Sequence, residues 1–526
     1  MTLFTRHMAP LFITAVAMLL GCGPHEPAEQ PAGKPVASVT VSTTGHNFIN
    51  VEVKLIHANT VWLLALPEDD QAPEADDVKS SGSAFEAGPG TLYGLKPSTS
   101  YMLYYCPESD KGVLGNVSKV TFRTVATEPY AWEKARDGIP FFAQTALIYG
   151  GGPRNPKYWT PERMRTHVSW TDPETGEEKW LFDAFLMLEM RTPSNNPPHA
   201  LAIGIKDWSD PSIAMLSANQ KDASEWLDYW FLENNGFRAL DAVVAEVTSR
   251  IGPPPVTPKV IVMMPDIPAH ERYNVPGSST KYWGSVDGRE LDFNSAADRV
   301  AAYRWYVDEV RARFAEADFQ NIELGGFYIM SEELPSTRSG IGGNGGDYVN
   351  GVMLDGWEVF AKAWDDVFPA VSDYIHLFNE AVVWIPYRRA AGFRYWKDFG
   401  IDYAYMQPNR FWDSKGVNPM ASFFSDIATY KLLMELEIDD RVMVNPVDAS
   451  DSSYNEGETY ETYRARWREY VDGMKNAKVY GNKQLAYYMG SDSFNHLLQS
   501  KVPEEQALIN ELCRLIANDP LKAKNK

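Results

Sequence analysis

The sequence predicts an α/β chain, an eight-stranded (β/α)8 barrel preceded by a small all-β sandwich, and three observations predict it. First, short alternating runs (VTVST, INVEVKLI, TVWLLAL, SYMLYYC, KVTFRT) occupy the stretch from Ala37 to Thr124, broken by Gly, Pro, Ser and Asp clusters. Period-two alternation of that kind marks strands with one wet face. Second, beyond a connector near Ala126 to Pro140 the pattern becomes apolar runs separated by amphipathic stretches, as in a parallel sheet covered by helices. Third, the runs number eight, the count of a closed barrel: 141–150, 180–190, 259–267, 322–330, 375–387, 402–409, 433–439 and 485–492. An open doubly wound sheet is the alternative. No G-x-G-x-x-G or G-x-x-x-x-G-K-[ST] follows any of these runs, which counts against a nucleotide-binding fold.

Ahead of these two domains stand a leader and a spacer. Residues 1–22 give a basic start with Arg6, an apolar run from Leu11 to Leu20 and a cysteine after a small residue, which is the layout of a signal peptide. The run is about half the ~20 residues a membrane-spanning helix needs. Leu19-Leu20-Gly21-Cys22 resembles the lipobox of bacterial lipoproteins, which implies an exported chain acylated at Cys22 and held at the cell envelope by that anchor. Residues 23–36 are rich in Pro, Ala and charge without a periodic apolar face, as in a flexible spacer. The sandwich is then expected over 37–125 and the barrel over 140–515.

Within the sandwich, Leu95-Lys96-Pro97-Ser98-Thr99-Ser100-Tyr101 is similar to the L-x-P-x-x-x-Y corner of fibronectin type III modules, where a tyrosine hydroxyl ties its strand to the preceding turn. Trp62 falls where such modules bury an aromatic side chain on an inner strand. Such modules space or bind far more often than they catalyse.

Composition narrows the partners. A formal net charge of −21 repels nucleic acid and anionic membrane surfaces, so an uncharged partner suits the chain better. Sixteen Trp and twenty-seven Tyr offer flat faces with polar edges, which suit sugar rings. Only Cys106 and Cys513 follow Cys22; each is flanked by apolar residues, so buried free thiols are expected rather than a disulfide framework.

In a barrel of this kind chemistry sits at the C-terminal strand ends, so the informative residues are the polar ones that close each apolar run. These are Asp266 after VMMP, Glu332 and Glu333 after GFYIMS, Gln407 and Asn409 after AYM, and Glu435, Glu437 and Asp439 in LMELEID. In the last of these, period two puts the three acids on one face and Leu436 and Ile438 on the other. Helices cover the outside of a barrel, so the carboxylates are expected inside. The alternative is the tail of an exposed helix. A carboxyl group from the fourth strand and one from the seventh form the pair that glycoside hydrolysis uses, with Glu332 as general acid/base and Glu437 as nucleophile. Glu435 and Asp439 are runners-up and Asp266 is a supporting carboxylate. Glu333 has the opposite parity and suits a helix N-terminus. Tyr328, Trp384, Tyr387, Trp412 and Tyr488 lie at or just past strand ends, where sugar faces stack, and Gln407 and Asn409 suit hydroxyl groups.

Three weaker patterns predict no metal and no cofactor. GIGGNGGDYVNG (340–351) lacks the Lys-Ser/Thr of a phosphate loop and suits a rim loop. DGRELDFN (287–294) lacks the full calcium-loop pattern. None of the nine histidines stands in H-E-x-x-H or a paired spacing.

With these residues in view, the chain resembles the family named domain of unknown function 4855, found in exported proteins of glycan-degrading bacteria. The likeness is carried by YWTPERM (158–164), WLFDAFLML (180–188), DRVAAYRWYVDEV (298–310), GGFYIMSEE (325–333), WIPY (384–387) and YMQPN (405–409). The resemblance implies a barrel related to glycoside hydrolases. It maps F-Y-x-x-x-E onto Phe327, Tyr328 and Glu332, and E-x-E onto Glu435 and Glu437. The chain departs from the pattern at Ile329, where an aromatic often stands, in lacking a glycine before Met434, and in Ser331, where related glycosidases often carry Asn. The function expected is an envelope glycoside hydrolase acting on a poly- or oligosaccharide by two-carboxylate chemistry, retaining if the two carboxyl groups stand ~5–5.5 Å apart and inverting if ~6.5–9.5 Å. A lipid-anchored glycan-binding protein that cleaves nothing is the alternative.

Overall fold

The computed structural model describes residues 33–44, 48–93, 95–96, 98–124, 138–193, 199–201, 216–266, 280–334, 348–349, 352–353, 364–447 and 454–525. The leader with Cys22, most of the spacer and nearly all of the glycine-rich stretch 340–351 lie outside the described residues.

The N-terminal unit is a β-sandwich of two antiparallel sheets. One sheet is ordered Val36–Thr44, Phe48–Ile56, Gly88–Tyr93, and the other Ser83–Phe85, Thr60–Pro67, Ser100–Glu108, Ser118–Arg123. Inward residues from both sheets (Ile49, Val51, Val53, Val61, Leu63, Leu103) form its core, as the alternation requires. At its corner the Lys96 N–H donates to the Tyr101 hydroxyl at 2.8 Å. Trp62 departs from expectation. Val61 and Leu63 take the inner face, and parity therefore turns Trp62 outward. There it packs beside Val78 of helix Ala75–Ser81 and donates to Glu108 at 2.7 Å.

The C-terminal unit is a closed barrel of eight parallel strands. They are β1 Gln144–Tyr149, β2 Ala184–Leu188, β3 Lys259–Met264, β4 Glu323–Ile329, β5 Ala381–Trp384, β6 Tyr403–Met406, β7 Leu433–Ile438 and β8 Leu485–Met489. Each lies within one of the eight apolar runs, and β8 pairs with β1 to close the ring. Helices cover the outside with apolar stripes. In Gly236–Ile251 the buried side is Phe237, Leu240, Val243, Val244 and Val247, one face of a 3.6-residue period. Helix Ala296–Ala317 is capped by the Ser295 side chain, which accepts from the Asp298 N–H, and it ends on Asp318 in the left-handed conformation. Between β4 and its neighbours there is no room for a side chain at Gly326, where a Cβ would lie 2.2 Å from the Ala381 carbonyl oxygen. A register shift against β3 sits just before it, so the regular stretch of β4 is Gly326–Ile329.

The barrel floor is tied together by polar groups from both ends of the domain. Asp183 accepts from the Ala143 and Gln144 N–H groups at 2.7–3.0 Å. The Gln144 side chain donates to Asp519 and accepts from Tyr487. The C-terminal turn Pro520–Asn525 carries Lys522 under the barrel, where its ammonium donates to the carbonyls of Trp180, Leu181 and Ile516. Cys106 and Cys513 are both buried free thiols. Among the described residues no helix is long and apolar enough to cross a membrane.

Candidate active site

Because all eight strands are parallel, their C-terminal ends share one mouth, and the carboxylates gather there. LMELEI is a strand, not a helix tail. Glu435 and Glu437 share its inward parity and are 2% and 0% exposed. Glu437 lies opposite Tyr488 of β8 and Glu435 opposite Ala486, one pleat deeper. Burial drives the Glu435 carboxyl well above the usual carboxylate range, and the nearby charges of Glu437 and Glu332 add to the rise. Side chains from β4 and β7 therefore sense one another across the barrel.

Glu437 is held by a defined set of donors. Its Oε1 accepts from the Asn409 N–H at 3.0 Å, and its Oε2 accepts from the Tyr470 hydroxyl. Tyr470 comes from helix Tyr460–Asn476, and its phenolic oxygen already accepts the N–H groups of Arg410 (3.0 Å) and Phe411 (2.7 Å). Its single proton therefore goes to Glu437, which is set as an acceptor. Burial nevertheless pushes the Glu437 carboxyl up to about 8, and these hydrogen bonds oppose the rise. Asn409 makes its contact from a left-handed conformation, φ 52°, which Asn tolerates better than most residues.

Glu332 stands three residues past β4, exposed at the mouth. Gln407, just past β6, donates to its Oε1 at 2.8 Å. The surrounding walls raise its carboxyl above the usual range, while the Gln407 bond and the Arg154 charge pull it back. Arg154 arrives from the loop after β1; its guanidinium lies 4.3 Å over the Tyr149 ring and donates to the Tyr488 hydroxyl. Tyr328 is buried beneath, its phenol pushed up by desolvation and then by Glu332. Asp266, two residues beyond β3, is buried, and its N–H donates to the Leu201 carbonyl at 2.8 Å.

Two acids at this rim were not nominated for a role there from the sequence. Glu333 is buried and accepts from the Tyr387 hydroxyl, and burial raises it to about 7. Its place is the rim, and the residues after Leu334 that a helix there would need lie outside the described residues. Glu189 follows β2 directly, is 0% exposed and is raised to about 7 by burial. It is the first polar residue after AFLML, so the rule that selected Glu332 selects it as well. Tyr470 and Tyr149 were also passed over. Tyr149 closes an apolar run, whereas Tyr470 lies in a helix and leaves no local mark of its contact.

Other nominated residues sit differently from expectation. Trp384 is fully buried with its indole N–H on the Ser331 carbonyl at 2.7 Å, so neither ring face is open to a ligand. It anchors the turn that carries Glu332. Asp439 is fully buried, caps the turn Asp440–Val442 through the Arg441 N–H, and also binds the Arg441 guanidinium and the Trp412 indole. Those partners give it a role in loop structure in place of a free catalytic carboxylate. Tyr387, Trp412 and Tyr488 remain partly exposed, Trp412 meeting Tyr488 edge to face at 5.5 Å. DGRELDFN forms a hairpin turn at Asp287 and Gly288, and Asp292 accepts from Thr280 and the Asn294 N–H. Among the described residues no cluster of His, Cys, Asp or Glu is disposed to hold a metal ion.

Solved structures to which the chain is similar include Ruminococcus gnavus β-glucuronidase, at 9% identity over 86% of this chain and 60% of that one, TM-score 0.32. Chitinase ChiA74 from Bacillus thuringiensis matches at 15% identity over 19% of this chain, TM-score 0.15, and the chain spans only 15% of that protein. The fibronectin type-III domain of human fibronectin type III domain containing protein 3 matches at 14% identity over 20% of this chain and 96% of that domain, TM-score 0.15. No curated protein matches the chain. The model of the family described as Domain of unknown function (DUF4855) matches residues 144–341 and 359–514, nearly the whole barrel and more than half of the chain, and the chain belongs to that family.

Proposed function

We propose that the barrel is a glycoside hydrolase, exported and held at the cell envelope through a lipid on Cys22. The observation that carries the hydrolytic reading is the electrostatic coupling of Glu332 from β4 with Glu435 and Glu437 from β7 at one mouth. Two carboxyl groups in unlike surroundings are what acid/base division of labour needs. Glu332, open to solvent and raised by its walls, gives its proton to the departing glycosidic oxygen. Glu437, in the ionised form that burial delays until the pH nears about 8, attacks the anomeric carbon as the C–O bond breaks. Glu332 then takes a proton from water, whose oxygen displaces Glu437 and frees the sugar. Because Glu437 has no exposed surface and its oxygens accept from the Asn409 N–H and the Tyr470 hydroxyl, attack requires one of these two groups to give way.

That full burial is also what favours the second reading, a lipid-anchored glycan-binding protein in which Glu437 only braces the rim. Glu332→Gln decides between them. On the hydrolytic reading it abolishes release of reducing ends from a polysaccharide panel while leaving glycan binding. A wild-type chain that binds a glycan and releases nothing from it selects the second reading.

A further inference from the structure

We infer that Tyr158 is the platform of a second glycan subsite, outside the barrel mouth, and that the ligand of this protein is an extended neutral polysaccharide. The inference rests on the carbohydrate reading above, in either its hydrolytic or its binding form. Tyr158 is 59% exposed, unusual for a tyrosine, yet it is not loosely placed. Its ring lies on that of Tyr229, centroids 5.8 Å apart and planes 14° from parallel, which leaves its opposite face to solvent. Tyr229 is fixed in turn: its hydroxyl donates to the Lys157 carbonyl at 2.8 Å, and its ring stands edge-on to the buried Trp230 at 5.1 Å. The result is a flat apolar surface backed by the core, with little rotamer freedom left to lose on binding.

Position links this surface to the mouth. Tyr158 lies on the loop that leaves the C-terminal end of β1, four residues after Arg154, whose charge acts on Glu332. Four residues of chain reach ~14 Å at most, about the span of three sugar residues. The same loop and the helix that follows it, Pro161–Val168, are anchored to the loop after β8 by Lys157 and Arg163, both paired with Asp492. The shelf and the carboxylate mouth therefore belong to one rim. A glycan chain that leaves the mouth over the β1 loop passes Tyr158. Neutral sugars are the ligand class because the chain carries a net charge of −21, and at the rim Lys157 and Arg163 are already paired with Asp492. A polyanion meets repulsion on approach.

The test is binding in the Glu332→Gln background, so that turnover does not erode the ligand. Electrophoretic retardation is measured against soluble glucomannan, arabinoxylan and polygalacturonate. Expected is retardation by a neutral polymer that weakens about fivefold or more in Tyr158→Ala, the worth of one aromatic contact, and survives in Tyr158→Phe. An unchanged thermal midpoint in each variant shows that the fold is intact. Equal binding by Tyr158→Ala, or a preference for polygalacturonate, overturns the subsite while leaving the carbohydrate reading in place. Absence of binding to every polymer overturns both.

Discussion

Tyr470 donates its hydroxyl proton to Glu437, and the direction of that bond is fixed because the Arg410 and Phe411 N–H groups already occupy the phenolic oxygen. A helix outside the barrel thus sets the hydrogen-bonding role of a carboxylate inside it. Tyr470→Phe removes the donor and also strands two backbone N–H groups. We expect a stability loss of about 1–3 kcal/mol and a further rise in the Glu437 pKa. Urea denaturation gives the first, and the pH profile of turnover gives the second through a limb displaced to higher pH.

The raised Glu437 carboxyl makes stability depend on pH with a definite sign. An unfolded glutamate releases its proton near ~4.3, whereas this one holds it to about 8 in the native state. Across that window the native chain binds the extra proton, so its stability is full below the lower value and falls as the pH rises through the upper one. Glu437→Gln is neutral at every pH and should flatten that part of the curve. Unfolding midpoints of the two proteins between pH 4 and 9 measure the difference, and parallel curves would rule the assignment out.

His496, in the helix Ser493–Gln499 that follows β8, is bonded to Asp440 in the turn after β7. Burial disfavours its charged form, but the hydrogen bond from Nδ1 to Asp440, the Asp440 charge and the Asp492 charge outweigh burial and the opposing Lys157, so its pKa is raised. A raised histidine stabilises most below its unfolded value near ~6.5, and that contribution disappears as the pH climbs through the native value. His496→Asn should remove this dependence. A ring-proton NMR titration of the wild type should place the midpoint above that of a free imidazole.

Gly152 has no room for a methyl group. A Cβ there would lie 2.3 Å from Glu189 Cγ and 2.4 Å from the Arg191 carbonyl oxygen. Gly152→Ala should therefore cost about 1–3 kcal/mol and displace Glu189 from its seat at the rim. A fall in the thermal midpoint is expected, and a midpoint equal to that of the wild type would show that the loop yields freely.

Tyr101→Phe tests the sandwich alone. Loss of the corner bond to the Lys96 N–H should weaken that unit by about 1 kcal/mol and leave the barrel transition unmoved. Limited proteolysis resolves the two units.

What the sequence disclosed depended on whether the signal was local. The acids of β7 were legible because period two, inside a barrel, admits one orientation for Glu435 and Glu437. Asp439 shared that parity, but the strand stops at Ile438 and the following turn recruits its carboxylate, which parity does not reveal. Trp384 closes an apolar run as a platform residue would. Its ring orientation is decided by the Ser331 carbonyl on the neighbouring strand end, a contact with no trace in the local pattern. Trp62 was placed on the wrong face because the motif around Tyr101 fixes the corner and not the parity of a strand that precedes it. Tyr470 was invisible for the most general reason: its partner lies 33 residues earlier, across a helix–strand junction.

The joining of Gln144 to Asp519, and of the carbonyls at Trp180 and Leu181 to Lys522, bears on how the molecule comes into being. A ribosome delivers the first stave hundreds of residues ahead of the groups that fasten its base, whereas every strand of the sandwich is already present by Arg123. The core of the leading unit is complete without any residue of the cylinder. The cylinder behind it must wait, open and with apolar edges unpaired, until Asp519 and Lys522 have joined it.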